Sequence, residues 1–434
     1  MKRYLLYFLL IVAAFSACKK EDDPIFDKSP DERLNETLAK YQQAMVNAPY
    51  GWKLLVYPSG VPNSVFSFYC RFNDANRVTM FSDFDAATSV ELKESSYRLK
   101  ALQQPALLFD TYSYIHLLCD PDGSVNGGAY GLGLSSDFEF SLDGIAGDSI
   151  LLTGRLHNSK AYMVKATQQE QEAYTSLQRN RAFENIARFL TYFKRITVSG
   201  TQYEIKANIY AHTITFSWKD ANGSTQEVQV GFYYTPTGIA LSPAFTDGAT
   251  TIASLDGIAW NQNTQTLKGN AGSSSFTISG FARPLSVDST AAQRWWQQGL
   301  DQEYWVSLYG FHVNGVEDAY QVTTLPDYYF MGYWPKFGTS GGSPYDLLGF
   351  VTQTGDQQPA LSYGPAFNPA FKTDGRVTFT YLGDLGTYPP ETAPIAKTIS
   401  KLIDANGFYL VQTGPKRYDM VSARDGKAWI TWER

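Results

Sequence analysis

Histidine and cysteine are scarce in this chain, with four His and three Cys among 434 residues. His116, His157, His212 and His312 lie in separate segments, and neither a His-Glu-x-x-His nor a Cys-x-x-Cys motif is written anywhere. A metal centre of the usual zinc spacing is therefore not expected, and no motif for a resident cofactor accompanies the gap. Positive charge is also short, with 36 Lys and Arg against 42 Asp and Glu. A phosphate backbone needs a basic stripe to displace its counterions, so nucleic acid is not an expected partner. The apolar run over residues 4–15 is too short to span a bilayer, which takes about 20 apolar residues.

That run is the middle of a leader. Lys2 and Arg3 give it a positive start, and the small residues Ser16 and Ala17 close it ahead of Cys18. Phe15-Ser16-Ala17-Cys18 resembles a bacterial lipobox, which implies cleavage before Cys18 and a lipid anchor on its thiol; the alternative is an ordinary leader followed by an incidental cysteine. Lys19, Lys20, Glu21, Asp22 and Asp23 resemble the export signal of Bacteroidota lipoproteins, which implies the outer membrane and the cell surface. Lys2 and Arg3 leave with the leader, so 34 basic residues face 42 acidic ones in a mature chain of net charge −8. Cys70 and Cys119 then remain, each in a strand-like run, residues 65–72 and 113–120. If those strands are neighbours a disulfide can form; otherwise both are small buried residues.

Aromatic residues are plentiful, 29 Tyr and 27 Phe, and they suit half-buried sheet faces better than helical bundles. Ser29 and Glu32 make a capping box with Pro30 between them, and Leu34, Leu38, Tyr41 and Met45 fall on one face, which predicts a helix over residues 30–47. Short apolar runs divided by turn residues then predict strands at 52–57, 65–72 and 77–82 and a meander on to 164. Thr167 and Glu170 open a second capped segment, where Tyr174, Leu177, Ile186, Leu190 and Phe193 predict one amphipathic connecting helix. Strands resume from 196 to 281. Thr290 with Gln293 caps a short helix holding Trp295 and Trp296, and more strands follow with a helix over 394–405. The fold class expected is mainly β with a few helices, in antiparallel sheets. Its divisions are a leader 1–17, a flexible tether 18–28, a β-rich module with its leading helix 29–166, a connecting helix 167–195, a second β-rich module 196–285 and a C-terminal one 286–434.

One hexapeptide is written twice: Ser141-Leu142-Asp143-Gly144-Ile145-Ala146 returns as Ser254-Leu255-Asp256-Gly257-Ile258-Ala259. Each copy precedes a Leu-x-Gly, at 152–154 and 267–269. Either a β module is duplicated, or the match is a chance one or a common hairpin turn built on Asp-Gly.

Further residues carry a likeness to a known family: Tyr50-Gly51-Trp52-Lys53, Asn76-Arg77-Val78-Thr79-Met80, Ser96-Tyr97-Arg98-Leu99, the run 105–121 with Phe109-Asp110-Thr111-Tyr112 and Ile115-His116, then Asp137-Phe138-Glu139-Phe140 and Leu152-Thr153-Gly154. Together they resemble a domain-of-unknown-function family of Bacteroidota lipoproteins, most densely from 29 to about 195. The resemblance assigns no site residue. It implies, by association, a place beside TonB-dependent transporters and their lipoprotein lids.

Asp120, Asp122 and Asn126 around Gly123 form part of a calcium loop without its closing Glu, and a hairpin turn suits them better. Residues 338–342 match a nucleophile elbow in letters, yet the flanks predict a floppy loop and no histidine follows His312. Asp110, Glu139 and Asp143 are strand-end acids, and paired carboxylates of a glycosidase leave no local spacing signature. Two aromatic groups remain, Trp295, Trp296, Trp305 and Tyr309, then Tyr328, Tyr329, Tyr333 and Trp334. Flat rings with a polar edge suit stacking on a sugar, and filling a core is the competing use. The expected role is a lipid-anchored surface protein, a non-catalytic ligand-binding or accessory component of nutrient uptake, with glycan as first ligand and peptide or a haem-like group behind it. A surface glycoside hydrolase and a structural or adhesive module are the alternatives.

Overall fold

Ser29 starts the first helix, α1 (Pro30–Val46), with both halves of the capping box made: its hydroxyl accepts from the Glu32 N–H, and its own N–H donates to the Glu32 carboxylate at 2.9 Å. This is a computed structural model, and it describes residues 28–101, 104–355 and 357–434. The leader, Cys18 and the charged residues 19–23 lie outside the described residues.

Tyr41 and Met45 of α1 pack into a core enclosed by eight strands, β1 (Trp52–Tyr57) through β8 (Lys160–Lys165), each hydrogen-bonded to the next. The meander closes on itself because β1 pairs with both β2 (Phe66–Phe72) and β8; Leu54 stands opposite Phe68 on one side and Met163 on the other. Such a barrel has an interior just wide enough for side chains to fill, and Leu54, Phe66, Phe68, Phe140 and Met163 fill it.

The excursion between the fifth and sixth strands corrects one expectation. Residues 113–120 are not a strand. The Ser113 N–H donates to His116 Nδ1 at 3.1 Å, His116 N–H returns to the Ser113 carbonyl, and a turn of helix results, α2 (Tyr114–Leu117). Cys119 therefore sits beyond a helical turn rather than on a strand beside Cys70, and both thiols are free. Asp122 caps another turn, α3 (Gly123–Asn126), so the calcium-like run is helical and not a hairpin.

The connecting helix is also shorter than its letters suggest. Its capping box forms, but α4 ends at Thr175, Leu177 takes a φ of 59°, and a 3-10 turn (Ala182–Arg188) precedes the next strand. The reason is that one apolar face must serve two bodies. Tyr174 stacks on Tyr69 of the first barrel at 4.7 Å, whereas Phe183 and Ile186 belong to the core of the second.

That second barrel runs from β9 (Phe193–Val198) to β16 (Ser274–Phe281) and closes through Ile196 opposite Ile278. The repeated hexapeptide falls in the sixth strand of each barrel, β6 (Glu139–Ala146) and β14 (Thr251–Asn261). In both, the register slips at the Asp-Gly pair, between Leu142 and Gly144 and between Asp256 and Ala259. The pair is thus a bulge inside a strand, not a hairpin turn. The following Leu-x-Gly occupies the seventh strand both times, β7 (Ser149–Gly154) and β15 (Thr266–Ala271).

A third ring follows that no repeated letters announce. After α5 (Ala291–Asp301), whose Thr290 donates to Asp288 instead of capping the helix, strands β17 (Trp305–Ser307) and β19 (Tyr328–Ser340) through β25 (Ala428–Glu433) form one sheet that closes where Val306 meets Glu433. The two-residue β18 (His312–Val313) hangs on β25. The first and third barrels share a latch. Trp52 and Trp305 each begin the first strand, and each indole N–H donates at 2.9 Å to a carbonyl of the preceding helix, Met45 and Trp295.

The barrels meet through buried polar contacts. Asp83 accepts from the N–H groups of Ser67 and Tyr234 across the first seam, where His212 is stacked between Phe66 and Phe232. Across the second, the Tyr192 hydroxyl donates to Asp419 at 2.6 Å. No helix among the described residues is long and apolar enough to cross a membrane.

Candidate functional site

With three barrel interiors filled by their own side chains, ligand chemistry is left to outer walls and seams. The strand β19 carries four of the aromatic residues singled out above, and two irregularities against β20 (Ser343–Thr352) decide which way each one faces. One extra residue between Tyr328 and Phe330 shifts the phase, so Tyr328 leans on the core and Phe330 does not. A second bulge lies between Trp334 and Gly338, with Lys336 at a φ of 50°, and it brings Trp334 and Phe337 to the same outer side.

Asp346, opposite that bulge, holds it in place. It accepts from the Lys336 N–H at 2.8 Å, the Tyr333 hydroxyl at 2.6 Å and the Trp296 indole at 2.7 Å. Burial raises the Asp346 carboxyl above the ordinary range, and burial together with that carboxylate holds the Tyr333 hydroxyl well above its own. Tyr333 and Trp295 are sealed in the core with rings 4.8 Å apart, so neither presents a face to a ligand. Trp296 is half-buried and tied to Asp346, and Tyr328 donates to the Leu308 carbonyl.

Tyr329 and Trp334 are the two that reach the outer wall. The Trp334 indole lies over Gly332 and Gly349, which face each other across the strands; a Cβ on either would come within 2.3 or 2.7 Å of it. Tyr304 stacks on Trp334 at 4.8 Å, runs parallel to Phe330 at 6.1 Å, and carries the Arg434 guanidinium 4.2 Å from its centre. Tyr329 and Phe337 end the ridge, 49% and 40% exposed. A hollow of 670 Å³ adjoins it, lined in part by Tyr304, Leu308, Lys416 and Arg434. Such a surface can stack on a flat apolar face and hydrogen-bond at its cationic rim. The sequence gives no sign of Phe330 and Phe337, because the bulges break the alternation of their strand, nor of Tyr304 and Arg434, which come from segments far apart in the chain.

The remaining candidates stay apart. Asp110 pairs with Arg98 at 2.5 Å, Glu139 faces Arg155 at 3.6 Å, and Asp143 accepts from Thr153 at 2.6 Å. They share no cleft. His116 is stacked between Tyr112 and Phe138, and burial lowers its pKa. Ser340 pairs with Ser343 in a tight hairpin through Gly341 and Gly342, both at positive φ, so the elbow-like letters are neither an elbow nor a floppy loop. Among the described residues no three His, Cys, Asp or Glu side chains gather to hold a metal.

No curated protein matches the chain. Among solved structures, a DnaN sliding clamp (DNA polymerase III subunit beta) from Bartonella birtlesii bound to griselimycin aligns over 91% of this chain and 97% of its own, at 9% identity and a TM-score of 0.13, too low to carry any argument. One family model matches residues 22–262, more than half the chain, taking in α1, the first barrel, the connector and the second barrel through β14. The chain therefore belongs to the family described as Domain of unknown function (DUF4302).

Proposed function

We propose that the mature protein is anchored in the outer membrane by lipid on Cys18, displays its three barrels at the cell surface, and binds glycan there without catalysis. In this reading it is an accessory of a nutrient-uptake assembly beside a TonB-dependent transporter and its lipoprotein lid. The observation that supports it is the ridge of Tyr304, Phe330, Trp334 and Phe337, which lies on the outer wall of a barrel whose core is already complete. Rings outside a finished core serve contact with something else, and an apolar face rimmed by cations and hydroxyls suits a sugar chain.

Two measurements test the reading. Residues 29–434 screened against soluble polysaccharides by affinity electrophoresis should be retarded by at least one; uniform mobility through all of them would remove the ligand. Radiolabelled palmitate should enter the wild-type chain and not Cys18→Ala, and protease added to intact cells should cleave the protein. Equal labelling of both chains would remove the anchor.

A further inference from the structure

The seam between the second and third barrels encloses a cleft of 240 Å³ that the aromatic ridge does not touch. We infer that this cleft binds a single neutral sugar ring, without turnover. The inference stands on the cleft alone and survives if the ridge binds nothing.

Its floor is a row of outward side chains on three adjacent strands, β10 (Thr201–Asn208), β11 (Thr213–Lys219) and β12 (Thr225–Tyr234). Glu204 stands opposite Ser217, and Ser217 opposite Glu227, so the two acidic residues are two strand spacings apart, about 10 Å between their Cα atoms. The Ser217 hydroxyl donates to Glu227 at 3.1 Å. Lys206 follows Glu204 on the same face. Trp218 sits half-buried at the barrel mouth, held by a perpendicular contact with Phe245 at 5.4 Å.

The roof is the linker between the barrels. The Leu285 N–H donates to Glu204 at 2.6 Å, and the hydroxyls of Ser286 and Thr225 meet at 2.7 Å. From the third barrel come Tyr409, Gln412 and Arg294, the last fixed by Asp288 at 2.7 Å and by Gln412 at 3.2 Å. Every wall is thus tied to another, and the cleft is formed before anything enters it.

Size and charge select the ligand. Drug-sized pockets run to roughly 300–1,000 Å³, so this one takes one ring and not a chain. Asp288 and Arg294 neutralise each other at 2.7 Å, which leaves one cation, Lys206, beside two carboxylates, Glu204 and Glu227. The cleft therefore offers aromatic surface and fixed donors and acceptors with no excess of positive charge to hold an anion, and hydroxyl groups, which both donate and accept, match that lining. A uronate would place its carboxylate among Glu204 and Glu227.

The test is calorimetric titration of the mature chain with methyl glycosides of neutral hexoses and with the corresponding uronates. At least one neutral glycoside should bind and its uronate should not. Ser217→Trp, planted between the two acids from the solvent side, should lower the affinity roughly tenfold or more with an unchanged melting temperature, whereas the ridge variant Tyr329→Ala should keep it. Failure of every neutral glycoside to bind, or an affinity indifferent to Ser217→Trp, overturns the inference. So does wild-type release of nitrophenol from nitrophenyl hexosides that stops in Glu204→Gln, because two carboxylates on one cleft floor are also what a glycoside hydrolase needs.

Discussion

Tyr329 and Tyr333 stand four positions apart on one strand and have opposite fates. Tyr333 is enclosed, its hydroxyl given to Asp346, while Tyr329 is half in solvent. Tyr333→Ala should cost about 3–5 kcal/mol, the usual figure for a large buried ring, and Tyr329→Ala should stay within about 0.5 kcal/mol; urea unfolding of the two variants measures both. Asp346 adds a pH signature. Its folded pKa lies above the unfolded value of about 3.9, so its contribution is whole below that value and is lost as pH rises through the folded one. The stability of Asp346→Asn should fall less than that of the wild type over this window, and parallel profiles would contradict the assignment. Residue letters gave no hint of this division. Alternation alone would put Tyr329 and Tyr333 on one face, and the extra residue at the first bulge, between Tyr328 and Phe330, separates them.

Elements were legible where their signals were local. Both capping boxes at Ser29 and Thr167 formed, because Ser-x-x-Glu and Thr-x-x-Glu spacings close within one helical turn. The strand at Trp52–Tyr57 began and ended where its apolar run did. The reading failed where a nearby side chain or a second body intervened: the Ser113–His116 bond turned an apolar run into helix, and packing against two barrels broke the connector after Thr175. The indole latches were likewise invisible, since each joins a strand to a helix 7 or 10 residues back. Trp52→Phe should cost about 1–3 kcal/mol by leaving the Met45 carbonyl at the end of α1 unpaired, and Trp305→Phe should cost less of this kind, since the Trp295 carbonyl lies inside α5 with a helical partner. The check is unfolding of each variant, with glycan affinity unchanged in both.

Closure into barrels is a property of the whole chain. Trp52 pairs with Lys165, and no local pattern announces a partner so distant in sequence. The repeated hexapeptide marked equivalent strands of the first two barrels, while the third shares their ring without sharing letters. The first seam should respond to acid. Burial lowers His212 below its ordinary 6.5, so the stability of its neutral form is whole above about pH 6.5 and is lost as pH falls through the depressed folded value. Melting temperatures of the wild type should drop more steeply over that interval than those of His212→Phe, and equal slopes would count against the seam as the titrating element. The claim on which the functional reading depends is that the ringed wall of the third barrel, and not any barrel interior, holds glycan. Its most direct test is the affinity of the Tyr329→Ala/Phe337→Ala double variant for a polysaccharide that retards the wild type, measured beside its melting temperature. The expected result is lost retardation at an unchanged melting temperature; undiminished retardation would contradict the account.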